Sequence, residues 1–266
     1  MAAWWLAGLL GAGALADPAV EQPADPRGVP VQRTYLFHEA HDASIPYALF
    51  VPTGYDPGKP APLVVLLHGL LSNPWQVIHY AGITQEAEKR GYIVVAPSGY
   101  NETGWYGSRG PGKDFVRRMS QRPDLPDNLG ELSEEDVLNV LVLVRRDYSI
   151  DPKRIYLMGH SMGGGGTLYL GMKYKERWAA LAALAPAIYS SPDALEDIRT
   201  MPIMIVQGDE DHLVHVENTR RWVVRMKDLK MDYRYKEIAG GDHIFSICAN
   251  PVMIGEVFDF FDRRTK

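Results

Sequence analysis

"IYLMGHSMGGGGTLYLG", residues 155–171, sets four consecutive glycines, Gly163 to Gly166, where a helix should begin. Each glycine in a helix costs roughly 0.5–1 kcal/mol relative to alanine. Four together imply a geometric demand that outweighs helix propensity. The run follows an apolar stretch of strand length, and Gly159-His160-Ser161-Met162-Gly163 matches G-x-S-x-G. A strand, this pentapeptide and then a helix make the setting of a nucleophile elbow, a sharp turn that exposes a serine hydroxyl at a strand end. Gly163 is expected to relieve crowding in that turn, and Gly164 to let the helix lie close to a neighbouring strand. Gly165 and Gly166 are expected either to pack the first helical turn closely or to leave room for an acyl group.

The flanking sequence alternates between the two periodicities. "QRTYLFHEA" and "SIPYALFVP" predict two antiparallel opening strands. "PLVVLLHG", "YIVVAPSG", "RIYLMGHS", "AALAALAP", "PIMIVQG" and "DYRYKEIAG" predict further strands. Unbroken apolar runs suit strands buried on both faces, as in a parallel sheet covered by helices. "ITQEAEKRG" predicts a short helix closed by Gly91. "SEEDVLNVLVLVRRDY" predicts a longer one with Ser133 as N-cap. Its apolar positions Val137, Leu138, Leu141, Val144 and Tyr148 recur at helical spacing. "HVENTRRWVVRMKDL" is amphipathic, and "NPVMIGEVFDFFDRR" opens with Asn250 as N-cap and Pro251 at the first helical position. The alternation predicts one doubly wound α/β domain over residues 33–266, with helices on both faces of a mostly parallel sheet. Tyr100 to Leu132 is expected to be an irregular insertion over the C-terminal edge of the sheet, where ligands bind in such folds.

Composition is ordinary for a globular protein: 266 residues, 46% hydrophobic, 23% charged and a net charge of -5. With the signs mixed along the chain, a nucleic-acid partner is not expected. Cys248 is the only cysteine, which excludes an intrachain disulfide and a cysteine metal cluster. It is expected to be a small apolar residue near the core. Ala2 to Ala16 carries no charge and ends in Ala14-Leu15-Ala16, a small-x-small pattern that predicts a cleaved export signal over residues 1–16. No Lys or Arg precedes the apolar run. Residues 17–32 are expected to be a flexible leader, and no stable membrane insertion is expected after processing.

A serine hydroxyl becomes a nucleophile only when a base takes its proton and a third group orients that base. The elbow predicts the chain order serine, acid, histidine. "PIMIVQGDEDHLV" runs a strand into an acidic loop, and "EIAGGDHIF" runs one into a glycine-bounded histidine. Asp211 is the expected acid, from the spacing Gly208, Asp211, Val214, with Asp209 as the alternative. His243 is the expected base, since it alone among eight histidines follows the last strand after the acid. His160 lies within the elbow, where it cannot face the serine, and His68 is expected to shape a loop. The oxyanion is expected to meet the backbone amides of Met162 and Leu70, with Leu71 the alternative to Leu70. Trp105, Tyr106, Trp75 and Ile188 are expected pocket-wall residues, with Tyr100, Tyr189 and Arg109 near them. No cofactor is expected. "GDEDHLVH" holds acids and two histidines, but the triad accounts for its acid, so no metal is expected.

"VVLLHGLLSNP", "SIDPKRIYLMGHSMGGGGTLYLGMKYKERWAALAALAPA", "QGDEDHLV" and "GGDH" together resemble the α/β-hydrolase family from about residue 33 onward. The layout is similar to carboxylesterases related to polyhydroxybutyrate depolymerases and feruloyl esterases, and to the catalytic domain of prolyl oligopeptidase-type serine peptidases. The elbow is locally similar to bacterial cutinases and polyester hydrolases, although Ala185-Pro186-Ala187-Ile188 stands where those enzymes usually carry a tryptophan. The resemblance implies acyl transfer to Ser161 and then to water. Its expected substrate is a small or polymer-linked ester, with short peptides, polyesters or a purely binding role as alternatives.

Overall fold

The computed structural model describes residues 26–114 and 124–266. The Ala2–Ala16 segment, most of the expected leader and part of the Tyr100–Leu132 insertion lie outside them. Eight strands form one sheet in the order β1-β2-β4-β3-β5-β6-β7-β8. They are β1 Val31–Phe37, β2 Ala43–Phe50, β3 Ala61–Leu67, β4 Ile93–Pro97, β5 Ile150–His160, β6 Ala180–Leu184, β7 Ile203–Gly208 and β8 Tyr233–Ile238. β1 pairs antiparallel with β2, and β2 with β4; every later pairing is parallel. β1 starts at Val31 and Arg27 bridges to Val51, so the sheet begins inside the stretch expected to be leader.

The continuous apolar strands are buried on both faces. In β3, Leu63, Val65 and Leu67 join one core cluster while Val64 and Leu66 join the other. The first cluster takes residues of α3 (Leu129–Asp147), α4 (Met162–Lys173) and α5 (Val216–Asp228). The second takes residues of α1 (Pro74–Ile78), α2 (Ile83–Arg90), α6 (Phe245–Cys248) and α7 (Pro251–Asp262). Removing a buried leucine side chain from such a core costs about 2–5 kcal/mol. No helix among the described residues is long and apolar enough to cross a membrane.

Helix ends follow local chemistry, with one correction. Asn250 caps α7 by accepting from the Met253 amide, with Pro251 next, and Gly91 closes α2 at φ 75°. Ser133 is not the N-cap of α3, which begins four residues earlier at Leu129. Its hydroxyl oxygen instead accepts from the Tyr106 amide at 2.9 Å, which pins the insertion to the helix. Asp136, one turn further along, accepts from the Tyr35 hydroxyl at 2.6 Å and from the Tyr100 amide at 3.2 Å. Burial holds its carboxyl up at about 6.

The glycine run meets four different obstacles. A Cβ on Gly163 would lie 2.3 Å from the Leu67 carbonyl oxygen, and one on Gly164 would lie 2.8 Å from Pro186 Cα. On Gly165 it would lie 2.3 Å from the Ala187 carbonyl oxygen, and on Gly166 2.6 Å from the Tyr106 ring. All four therefore serve close approach of α4 to its surroundings, Gly166 by seating Tyr106 rather than by making room for an acyl group.

Candidate active site

Ser161 connects β5 to α4 at φ 57° and ψ -115°, a left-handed conformation that non-glycine residues adopt only under constraint. The constraint is visible. Its amide donates to the Leu184 carbonyl at 2.8 Å, and its carbonyl accepts from Gly165 at 3.0 Å and Ala187 at 2.9 Å. Trp105, which lines the same cavity as Ser161, also has positive φ.

The structure brings Ser161, His243 and Asp211 together. His243 Nε2 lies 2.8 Å from Ser161 Oγ, and His243 Nδ1 lies 2.6 Å from Asp211 Oδ2. Because a carboxylate oxygen accepts, Nδ1 carries the ring proton and Nε2 presents its lone pair to the hydroxyl. Asp211 is buried, and its Oδ1 accepts from the amides of Leu213 at 2.9 Å and Val214 at 2.8 Å. Its Oδ2 also accepts from Gln207 Nε2 at 2.7 Å, and Gln207 is held by Thr219. Asp209 is exposed and accepts from the Gly240 amide at 2.6 Å, so it braces the loop instead of the histidine. The sequence signal for Gln207 was its place as the one amide side chain in an otherwise apolar strand.

The Met162 amide sits in the first turn of α4, where N–H groups have no helical acceptor and the helix dipole favours negative charge. Leu70 borders the same cavity. The Leu71 amide is used elsewhere, donating to the Glu102 carbonyl at 3.0 Å. His68 is buried beneath that loop, its ring nitrogens each 2.8 Å from a carbonyl oxygen, of Gly69 and of Ser98. Burial lowers its basicity, and it shapes the loop.

A cavity of about 460 Å³ opens at Ser161, walled by Leu70, Trp105, Ala187, Tyr189, Leu213 and Ile244 among others. Trp105 is a wall residue as expected. Three other expected wall residues are not. Tyr106 is fully buried, with its hydroxyl donating to the His68 carbonyl at 3.2 Å, because Gly166 leaves its ring a seat in the core. Ile188 is 6% exposed and packs into the first core cluster. Trp75 is 42% exposed and packs edge-on against His79, beside an adjacent hollow that shares Ser72 with the cavity. Tyr189 meets the wall as a T-shaped partner of Trp105, with the Arg109 guanidinium 4.0 Å over its ring. Cys248 is half-buried at the cavity rather than in the core. Among the described residues, no group of three or more His, Cys, Asp or Glu is placed to hold a metal ion.

Sequence reasoning set His160 aside as unable to face the serine, and it gave Tyr80 no role. His160 Nε2 lies 2.9 Å from the His243 carbonyl oxygen, and the Tyr80 hydroxyl lies 3.0 Å from His160 Nδ1. Both are contacts between distant segments, invisible to local pattern.

A family model described as "Putative esterase" matches residues 39–250. The chain is 28% identical to the S-formylglutathione hydrolase of Bos taurus over 148 residues, covering 53% of this chain and 51% of that one. It is also 28% identical to feruloyl esterase C of Emericella nidulans over 156 residues, 57% of this chain and 50% of the relative. The matches thus span about half the length of these relatives. Among solved structures, a thermostable esterase superposes with TM-score 0.65 at 25% identity, covering 89% of this chain and 63% of the other. An S-formylglutathione hydrolase from Agrobacterium tumefaciens superposes with TM-score 0.69 at 17% identity over 93% and 99% of the two chains. The fold is that of an α/β-hydrolase, and the chain belongs to the esterase family.

Proposed function

We propose that this protein is a serine carboxylesterase. The observation that carries the proposal is the continuous Asp211–His243–Ser161 hydrogen-bond chain at the floor of a largely apolar cavity. His243 Nε2 takes the Ser161 hydroxyl proton as Oγ bonds to the ester carbonyl carbon. The Met162 and Leu70 amides hold the resulting oxyanion; loss of one such donor typically costs ~10²–10³ in rate. Collapse breaks the bond to the alkoxide, which leaves with the proton from His243. Water then repeats the sequence on the acyl-enzyme, its proton passing through His243 and back to Ser161. Asp211 keeps the Nδ1–H tautomer throughout.

The apolar wall of Trp105, Tyr189, Leu213 and Ile244 supports an apolar acyl group. A panel of p-nitrophenyl esters of acetate, butyrate and ferulate, set beside peptide anilides, tests the assignment. Efficient ester turnover with weak anilide turnover is expected; the reverse order would make the protein a peptidase. Export is supported by the Ala2–Ala16 segment. It is tested by N-terminal sequencing of the secreted protein, expected to begin at Asp17; retention of Met1 in cytosolic protein would refute it.

A further inference from the structure

His243 is held by more than its ring. Nδ1–H binds Asp211, and its main-chain carbonyl accepts a hydrogen bond from the side chain of His160, the residue immediately before the nucleophile. We propose that His160, braced at its other ring nitrogen by the Tyr80 hydroxyl, is a positioning residue that ties the main chain of the base to the elbow carrying Ser161. This rests on the esterase reading of the site.

The tautomer follows from the partners. A carbonyl oxygen only accepts, so His160 Nε2, 2.9 Å from it, carries the proton. Nδ1 is then a lone pair, and the Tyr80 hydroxyl 3.0 Å away donates to it. The Cys248 thiol lies 3.9 Å from the same nitrogen. These contacts come from three directions: Tyr80 from the segment between α1 and α2, Cys248 from α6, and His243 from the loop before α6. Asp211 stands beyond His243. His160 is 4% exposed, and its ring centroid lies 5.0 Å from that of His243. Burial, reinforced by the neighbouring His243, lowers its basicity to about 4. It therefore stays neutral while His243 becomes an imidazolium 5.0 Å away, and adds no like charge against it.

With both anchors, His243 is fixed at its ring and at its backbone. With the His160 bond gone, the base can pivot about the Asp211 contact, and the 2.8 Å approach of Nε2 to Ser161 Oγ loses its constraint. Misplacement of the base acts on the chemical step rather than on ground-state binding, so kcat falls while KM holds.

The test compares His160→Leu, His160→Gln and Tyr80→Phe on a soluble p-nitrophenyl ester, with thermal midpoints alongside. His160→Leu is expected to lower kcat about tenfold or more with KM within about twofold. His160→Gln, whose side-chain N–H reaches the same carbonyl, is expected to recover most of the loss. Tyr80→Phe removes the hydrogen bond that braces the His160 ring at Nδ1 and is expected to fall between the wild type and His160→Leu. Wild-type kcat in His160→Leu, or equal slowing by Leu and Gln at that position, overturns the proposal. Should His160→Leu fail to fold, Tyr80→Phe decides: a several-fold fall in kcat supports it and full kcat overturns it. Turnover by Ser161→Ala is a different failure, since it removes the esterase chemistry itself.

Discussion

Asp209 and Asp211 stand two residues apart in one acidic loop, and only their surroundings separate them. Asp211 is buried on Gln207, two backbone amides and His243, whereas Asp209 faces solvent and steadies Gly240. Asp211→Asn should lower kcat by about 10³–10⁴, because the amide no longer enforces the Nδ1–H tautomer. Asp209→Asn should leave kcat within about threefold, since losing one hydrogen-bonded brace at the surface moves no catalytic atom. A steady-state comparison of the two variants checks this, and the opposite ranking would exchange their roles. Ser161, Asp211 and His243 were legible because each sits just past a strand whose apolar run ends in a turn. His160 and Tyr80 were not, since they meet across 80 residues of chain. Tyr106 was misplaced because its sequence position beside Trp105 carries no information on which ring faces the cavity.

Elements were read best where backbone chemistry is local. The Asn250-Pro251 start of α7 and the Gly91 end of α2 are satisfied by residues within four positions, so composition alone reveals them. The start of α3 was read late at Ser133 because a serine followed by two glutamates mimics a cap. In the folded chain its hydroxyl serves Tyr106, 27 residues upstream. The glycine run announced an element boundary, yet what each glycine faces depends on three other segments: the end of β3 and His68, the Pro186–Ala187 loop, and Tyr106. That coupling also ties the elbow to the cavity, because the Ala187 that Gly165 abuts both lines the cavity and donates to the Ser161 carbonyl.

Across the whole molecule, two buried groups set opposing pH dependences of stability. Asp136 sits near 6 in the fold against 3.8 ordinarily, so the unfolded chain loses its proton first and stability falls as pH rises from about 4 to 6. His160 sits near 4 against 6.5, so the unfolded chain gains a proton first and stability falls as pH drops from about 6.5 to 4. Over that window the two slopes offset. Asp136→Asn removes the first and leaves His160 together with carboxyls such as Asp242 and Asp259, whose acidity is raised by hydrogen bonds and Arg90. Urea unfolding at pH 6.5 and pH 4 should show an acid-side loss about 2 kcal/mol larger in the variant than in the wild type. Equal losses in the two proteins would contradict a buried, proton-holding Asp136.

In the proposed reaction an ester's acyl group passes through a covalent bond to Ser161. Mixing the protein with a p-nitrophenyl ester, quenching in acid and mapping the peptides by mass measures this directly. One acyl mass increment is expected, on the peptide carrying Ser161 and absent from the Ser161→Ala variant. An adduct on another residue, or p-nitrophenol release at the wild-type rate by Ser161→Ala, would contradict it.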